Sequence, residues 1–143
     1  MKIKQISVFI ENKEGRLYEV SKTLTDNNIN LRALSLAETS DFGILRLIVD
    51  KPDEALQILK SNDFTVGLTN VVAVEVPDQT GGLASVLAIM EKADINVEYM
   101  YAFVEKSSNN AVLIFRFDNL EEVLHTLQEK GLKMLSEDEV VSL

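Results

Sequence analysis

Between Ile3 and Ile10 apolar and polar residues alternate, with Ile6, Val8 and Ile10 on one side, and this period of two predicts a half-buried strand. From Gly15 the period lengthens. Leu17, Val20 and Leu24 then share one face of a helix, which Asp26-Asn27-Asn28 stops. Leu31 to Ala37 and Ile44 to Val49 are strand-like, and Ser40-Asp41-Phe42-Gly43 between them reads as a hairpin turn. Pro52 suits the first turn of a second helix whose Leu56 and Leu59 face inward, and Phe64 to Leu68 completes the pattern as a strand.

The same pattern then recurs. At an offset of 66, Ile6, Val8 and Ile10 fall on Val72, Val74 and Val76, Gly15 and Leu17 on Gly81 and Leu83, and Ile29-Asn30-Leu31 on Ile95-Asn96-Val97. Past a turn two residues longer in the second copy, Leu47, Val49 and Asp50 match Phe115, Phe117 and Asp118. The second copy places strands near Val71 to Val76, Val97 to Val104, Val112 to Phe117 and Leu132, and helices from Gly81 and Leu120. Each copy reads βαββαβ. The expected fold class is therefore α+β: two ferredoxin-like modules, residues 1–69 and 70–143, each an antiparallel sheet with its helices on one face. Leu68-Thr69-Asn70-Val71 leaves almost no linker, which favours a rigid pair, and Ser136 to Val140 reads as a capped short helical turn.

Composition narrows the function classes. A chain of 143 residues makes each copy small and marginal alone, while 46% apolar content supports a packed core. With 23 acidic against 14 basic side chains, the net charge of -9 opposes phosphate-backbone attraction, so no nucleic-acid partner is expected. Cysteine is absent and His125 is the single histidine, which excludes disulfides, thiolate zinc sites and cysteine nucleophiles; no metal or cofactor pattern stands out. Gln5, Ser7 and Glu11 interrupt the N-terminal apolar residues, and no apolar run approaches the ~18 residues of a spanning helix, so a soluble cytoplasmic protein is expected, without a membrane partner.

The candidate chemistry sits at the two glycine turns, Asn12 to Leu17 and Asp78 to Leu83. Each joins a strand to a helix, and a helix start presents unpaired amides that suit an anion. Gly15 and Gly81 permit the backbone angle such turns need. Arg16 can pair with nearby acids or meet an anion. In Val97 to Val104 both alternating sets are mostly apolar after Glu98, unusual for a strand at a sheet edge, which points to a homodimer or an internal pseudo-dimer.

These ordered, duplicated segments, with Ile-Asn-Leu and Ile-Asn-Val at the second strands, resemble tandem ACT-domain proteins, small-molecule sensing modules often attached to enzymes of amino-acid metabolism. Glu14 and Thr80 stand where proline is common in that family. The resemblance implies a regulatory protein without catalysis that binds a free amino acid or similar small zwitterion, with an amino-acid biosynthetic enzyme as partner. In serine-sensing members an asparagine of the turn and one at the start of the second strand meet one ligand across an interface. The matching residues are Asn12 with Gly15, Arg16, Leu17 and Asn30 in the first copy, and Asp78 with Gly81, Gly82, Leu83 and Asn96 in the second. An amino-acid carboxylate suits the helix-start amides, and its ammonium suits a carboxamide oxygen or the Asp78 carboxylate. Two other readings stand beside this one: an interaction module with a vestigial site, and an acylphosphatase-like hydrolase resting on Arg16.

Overall fold

The structure, a computed structural model, describes residues 1–39 and 41–143. Ser40, placed by the sequence in the first hairpin turn, lies outside the described residues. The elements are β1 (Ile3–Glu11), α1 (Arg16–Asp26), β2 (Leu31–Glu38), β3 (Phe42–Val49), α2 (Pro52–Ser61), β4 (Thr65–Pro77), α3 (Gly82–Lys92), β5 (Val97–Ala102), β6 (Asn110–Phe117), α4 (Leu120–Glu129), β7 (Met134–Leu135) and α5 (Glu137–Ser142). They form two compact units, Lys4–Thr69 and Met1–Ile3 with Asn70–Leu143.

In the first unit the strand order is β2-β3-β1-β4. Antiparallel register sets Ile6 opposite Leu47 and Val8 opposite Leu45, so the period-two apolar set of β1 meets that of β3 on one face. Val20 and Leu24 of α1 and Ala55 and Leu59 of α2 pack on that same face with Ile6, Val8, Ile10, Leu45, Leu47 and Val49. Both helices therefore cover one side of an antiparallel sheet. Two residues depart from the helical phase read from the pattern: Leu17 is 45% exposed, and Ala55 is buried where Leu56 is only half-buried. Leu17 stands in the first turn of α1, where it lines a cleft and is not part of the core.

The second unit repeats the order as β5-β6-β4, with β7 pairing the other side of β4. Val86 and Met90 of α3 and Leu124 and Leu127 of α4 pack against Val72, Val74, Val76, Phe115 and Phe117. The rings of Phe115 and Phe117 lie 5.6 Å apart and nearly parallel, a contact that adds about 0.5–1.5 kcal/mol to simple burial.

Several boundaries differ from the sequence pattern: Phe42 and Gly43, expected in the hairpin turn, lie in β3, β5 ends at Ala102 before Phe103 and Val104, and the last strand is Met134–Leu135 where Leu132 was expected. The stretches Phe64 to Leu68 and Val71 to Val76 form a single strand, β4, of 13 residues. Leu68-Thr69-Asn70 contains no glycine or proline to break the extended backbone, so the chain passes from one copy into the next without a turn. Strand β5 lies at the sheet edge, with Tyr99, Met100 and Tyr101 each half-buried, and α5 opens on Ser136, whose hydroxyl accepts from the Glu139 amide. Among the described residues no helix is long and apolar enough to cross a membrane.

Candidate functional site

Both glycine turns have the same backbone. Gly15 and Gly81 adopt φ of +86°, the left-handed region that a side chain disfavours, and each stands directly before a helix whose start has no side-chain cap. The amide of Glu19 bonds to the Gly15 carbonyl and that of Ser85 to the Gly81 carbonyl, so the turns are superposable to their hydrogen bonds. The first helical amides, of Arg16 and Gly82, bond the Lys13 and Gln79 carbonyls, which leaves the amides that follow them to meet an anion at each turn. The glycines differ in surroundings: a Cβ on Gly15 or Gly81 would meet nothing within 4 Å, whereas one on Gly82 would stand 1.9 Å from the Pro77 carbonyl oxygen. Gly82 is a packing residue as well as part of the turn.

At the first turn a cleft of about 50 Å³ opens between the end of β1, the start of α1 and the β2–β3 end of the sheet. Asn12, Arg16 and Leu17, all expected at a site, line it. So do Glu11, Lys13, Leu36, Glu38 and Gly43, which sequence reasoning did not single out. The signal for them was the hairpin: pairing of Glu11 with Phe42 and of Gly43 with Glu38 brings the end of β2 beside the turn.

Charge in the cleft is balanced and local. Lys13 bonds Glu11 at 2.7 Å and holds its carboxyl below the ordinary value of 4.5. The Arg16 guanidinium donates to Glu19 at 2.6 Å and lies 5.1 Å from the centre of the Phe64 ring, while its Nε is buried without an acceptor among the described residues. Asn12 uses its backbone N–H on the Asp41 carbonyl, and its carboxamide has no partner among the described residues. A small cleft lined by a carboxamide that has no partner among the described residues and by both signs of charge has the makings of a zwitterion site.

Asn30 is elsewhere. Its backbone amide bonds the Asp50 carboxylate and its carbonyl accepts from the Asp50 amide, at the opposite end of β2 from Glu38. Along that strand the separation from Asn12 is roughly 25 Å at about 3.3 Å per residue. Within one module the two asparagines cannot touch one small ligand. Asn96 is placed likewise at the start of β5, in an acidic cleft of about 370 Å³ lined also by Asp94, Asp118 and Glu122, away from the Gly81 turn.

The second turn carries different partners. Asp78 is paired with Lys106 from the β5–β6 hairpin, and Leu83 is partly exposed. Just before the turn, the Glu75 side chain is 5% exposed and takes hydrogen bonds from Ser107, from Asn110 at 3.1 Å and from Lys133 at 3.2 Å. Burial pushes its carboxyl up, and these three donors outweigh burial, leaving it below the ordinary value. The corresponding residue in the first copy is Phe9, so this network belongs to one copy only.

The comparisons with known proteins point the same way as the duplicated fold. Residues 1–143 match the family model described as an ACT domain pair. A crystal structure of a protein from Bacteroides thetaiotaomicron is 43% identical, covers 100% of this chain and 98% of its own, and superposes with a TM-score of 0.93. The regulatory subunit of aspartate kinase from Thermus thermophilus, in a ligand-free form, is 17% identical, with a TM-score of 0.62 over 90% of this chain and 92% of its own; it shares the fold. That from Thermus flavus is 16% identical, with a TM-score of 0.58 over 88% of this chain and 90% of its own. No curated protein matches the chain.

Proposed function

Since the chain belongs to the ACT domain pair family over its whole length, we propose that it is a regulatory protein that binds a free amino acid at the Gly15 turn of its first module. The observation that carries this reading is the cleft, whose Glu11, Asn12, Lys13, Arg16 and Glu38 offer both signs of charge within one small volume. The ligand carboxylate takes the helix-start amides with Lys13 or Arg16, and its ammonium takes the Asn12 carboxamide oxygen or Glu38. The two modules, residues 1–69 and 70–143, then act as a sensor whose bound state a biosynthetic enzyme reads in the cytoplasm.

A ligand that touches both Asn12 and Asn30 must draw Asn30 from a second copy of the chain, because the two lie at opposite ends of β2 in one module. The proposed state is therefore a homodimer. Regulation follows only if the ligand prefers one packing of the copies over another.

Thermal-shift screening of the full chain against the twenty common amino acids tests the reading. A ligand at a hundredfold excess over its Kd stabilises by about 2.7 kcal/mol and raises Tm by several degrees. Asn12→Ala or Arg16→Ala should weaken that ligand by about 10- to 100-fold, as expected for a charge-assisted hydrogen bond. Silence across the whole panel would reject the proposal.

A further inference from the structure

The second copy has the same glycine turn and helix start, yet its turn is not left open by its own hairpin. From the start of β5 to the start of β6 the chain is two residues longer than from β2 to β3, and the connection between those strands, residues 103–109 against 39–41, carries Lys106 and Ser107. Lys106 places its ammonium on the Asp78 carboxylate. Asp78 stands at the position of Asn12, a residue that lines the open cleft of the first module.

Taken alone, an exposed ion pair holds little, because water and entropy offset most of the attraction. Here the next residues are anchored in the interior. Ser107 and Asn110 both donate to the buried Glu75 carboxylate, Lys133 closes the same carboxylate from the start of β7, and Ser107 and Asn110 exchange backbone hydrogen bonds with each other. A buried carboxylate with three donors is costly to disrupt, so the hairpin tip is anchored at Ser107 and Asn110, next to Lys106.

We propose that Lys106 is an internal plug: its ammonium takes the place at Asp78 that a ligand ammonium would occupy, and the Glu75 anchor holds the hairpin there, so that the second turn is closed to amino acids while the first is open. The proposal deepens the functional reading above and rests on it for the chemistry of the turn. It assigns the two modules unequal work, the first sensing and the second held in one state by its own chain.

The test is a titration of the full chain with an equimolar mixture of the twenty L-amino acids, followed by amide resonances of Gly15 and Gly81, in the wild type and in Lys106→Ala. In the wild type Gly15 should respond and Gly81 should stay silent; in Lys106→Ala, Gly81 should respond at a tenth or less of the highest concentration at which the wild type stays silent. Glu75→Gln keeps Lys106 and Asp78 but loosens the anchor, and should speed hydrogen exchange at the Ser107 amide about tenfold or more. A Gly81 response already present in the wild type, or still absent in Lys106→Ala, overturns the plug. Silence at Gly15 with a Gly81 response in Lys106→Ala would instead reject the first-module site and keep the plug, so the two failures are distinct.

Discussion

Three glycines that look alike in the sequence do different things in the fold. Gly15 and Gly81 need only a positive φ, so alanine at either should cost about 1–2 kcal/mol through backbone strain alone. A Cβ added at Gly82 would stand 1.9 Å from the Pro77 carbonyl oxygen, a backbone atom that cannot swing away, so Gly82→Ala should displace the Pro77 turn and cost about 1–3 kcal/mol by overpacking. Urea unfolding of the three variants checks this: equal midpoints for Gly82→Ala and the wild type would contradict the packing role. The turn residues Asn12, Arg16 and Leu17 were legible from spacing, because a glycine between an alternating strand and a helix marks a turn. Glu11, Lys13 and Glu38 were not, because as isolated letters they are ordinary surface charges. Only the hairpin register brings Glu38 to the turn.

At the scale of elements, periodicity located nearly every strand and helix, since each unit buries one face of a sheet under two amphipathic helices. One missed feature was β4, where two strands read as separate run together. Pattern alone cannot show that a strand ends when the next residues are also extended. Glu75 on this strand was not singled out from the sequence, because its donors lie 32 to 58 positions away and no local motif links them. Because its folded carboxyl lies below the ordinary value of 4.5, its contribution to stability is present above that value and is lost as pH falls through the lower, folded value. Unfolding free energy measured from pH 6 to pH 3 should fall less steeply in Glu75→Gln than in the wild type. Parallel profiles would show that the carboxylate adds nothing in the fold.

Across the whole molecule, duplication was the most legible property, and unequal chemistry within it the least. Both copies keep the turn geometry, with Gly15 and Gly81 at the same positive φ. Divergence sits in single side chains, Asn12 against Asp78 and Phe9 against Glu75, and in a hairpin two residues longer, whose consequences depend on tertiary contact. The proposed homodimer belongs to this scale as well. Sedimentation of the full chain at micromolar concentration should give twice the 16.0 kDa of one copy, and a strictly monomeric mass would remove the route by which Asn30 reaches the Asn12 ligand. The central claim, an amino acid held at the Gly15 turn, is tested most directly by calorimetric titration of the full chain with the amino acid that gives the largest thermal shift. The expected result is saturable heat with one ligand per chain, weakened at least tenfold in Asn12→Ala; heat that is absent, or unchanged in that variant, would contradict it.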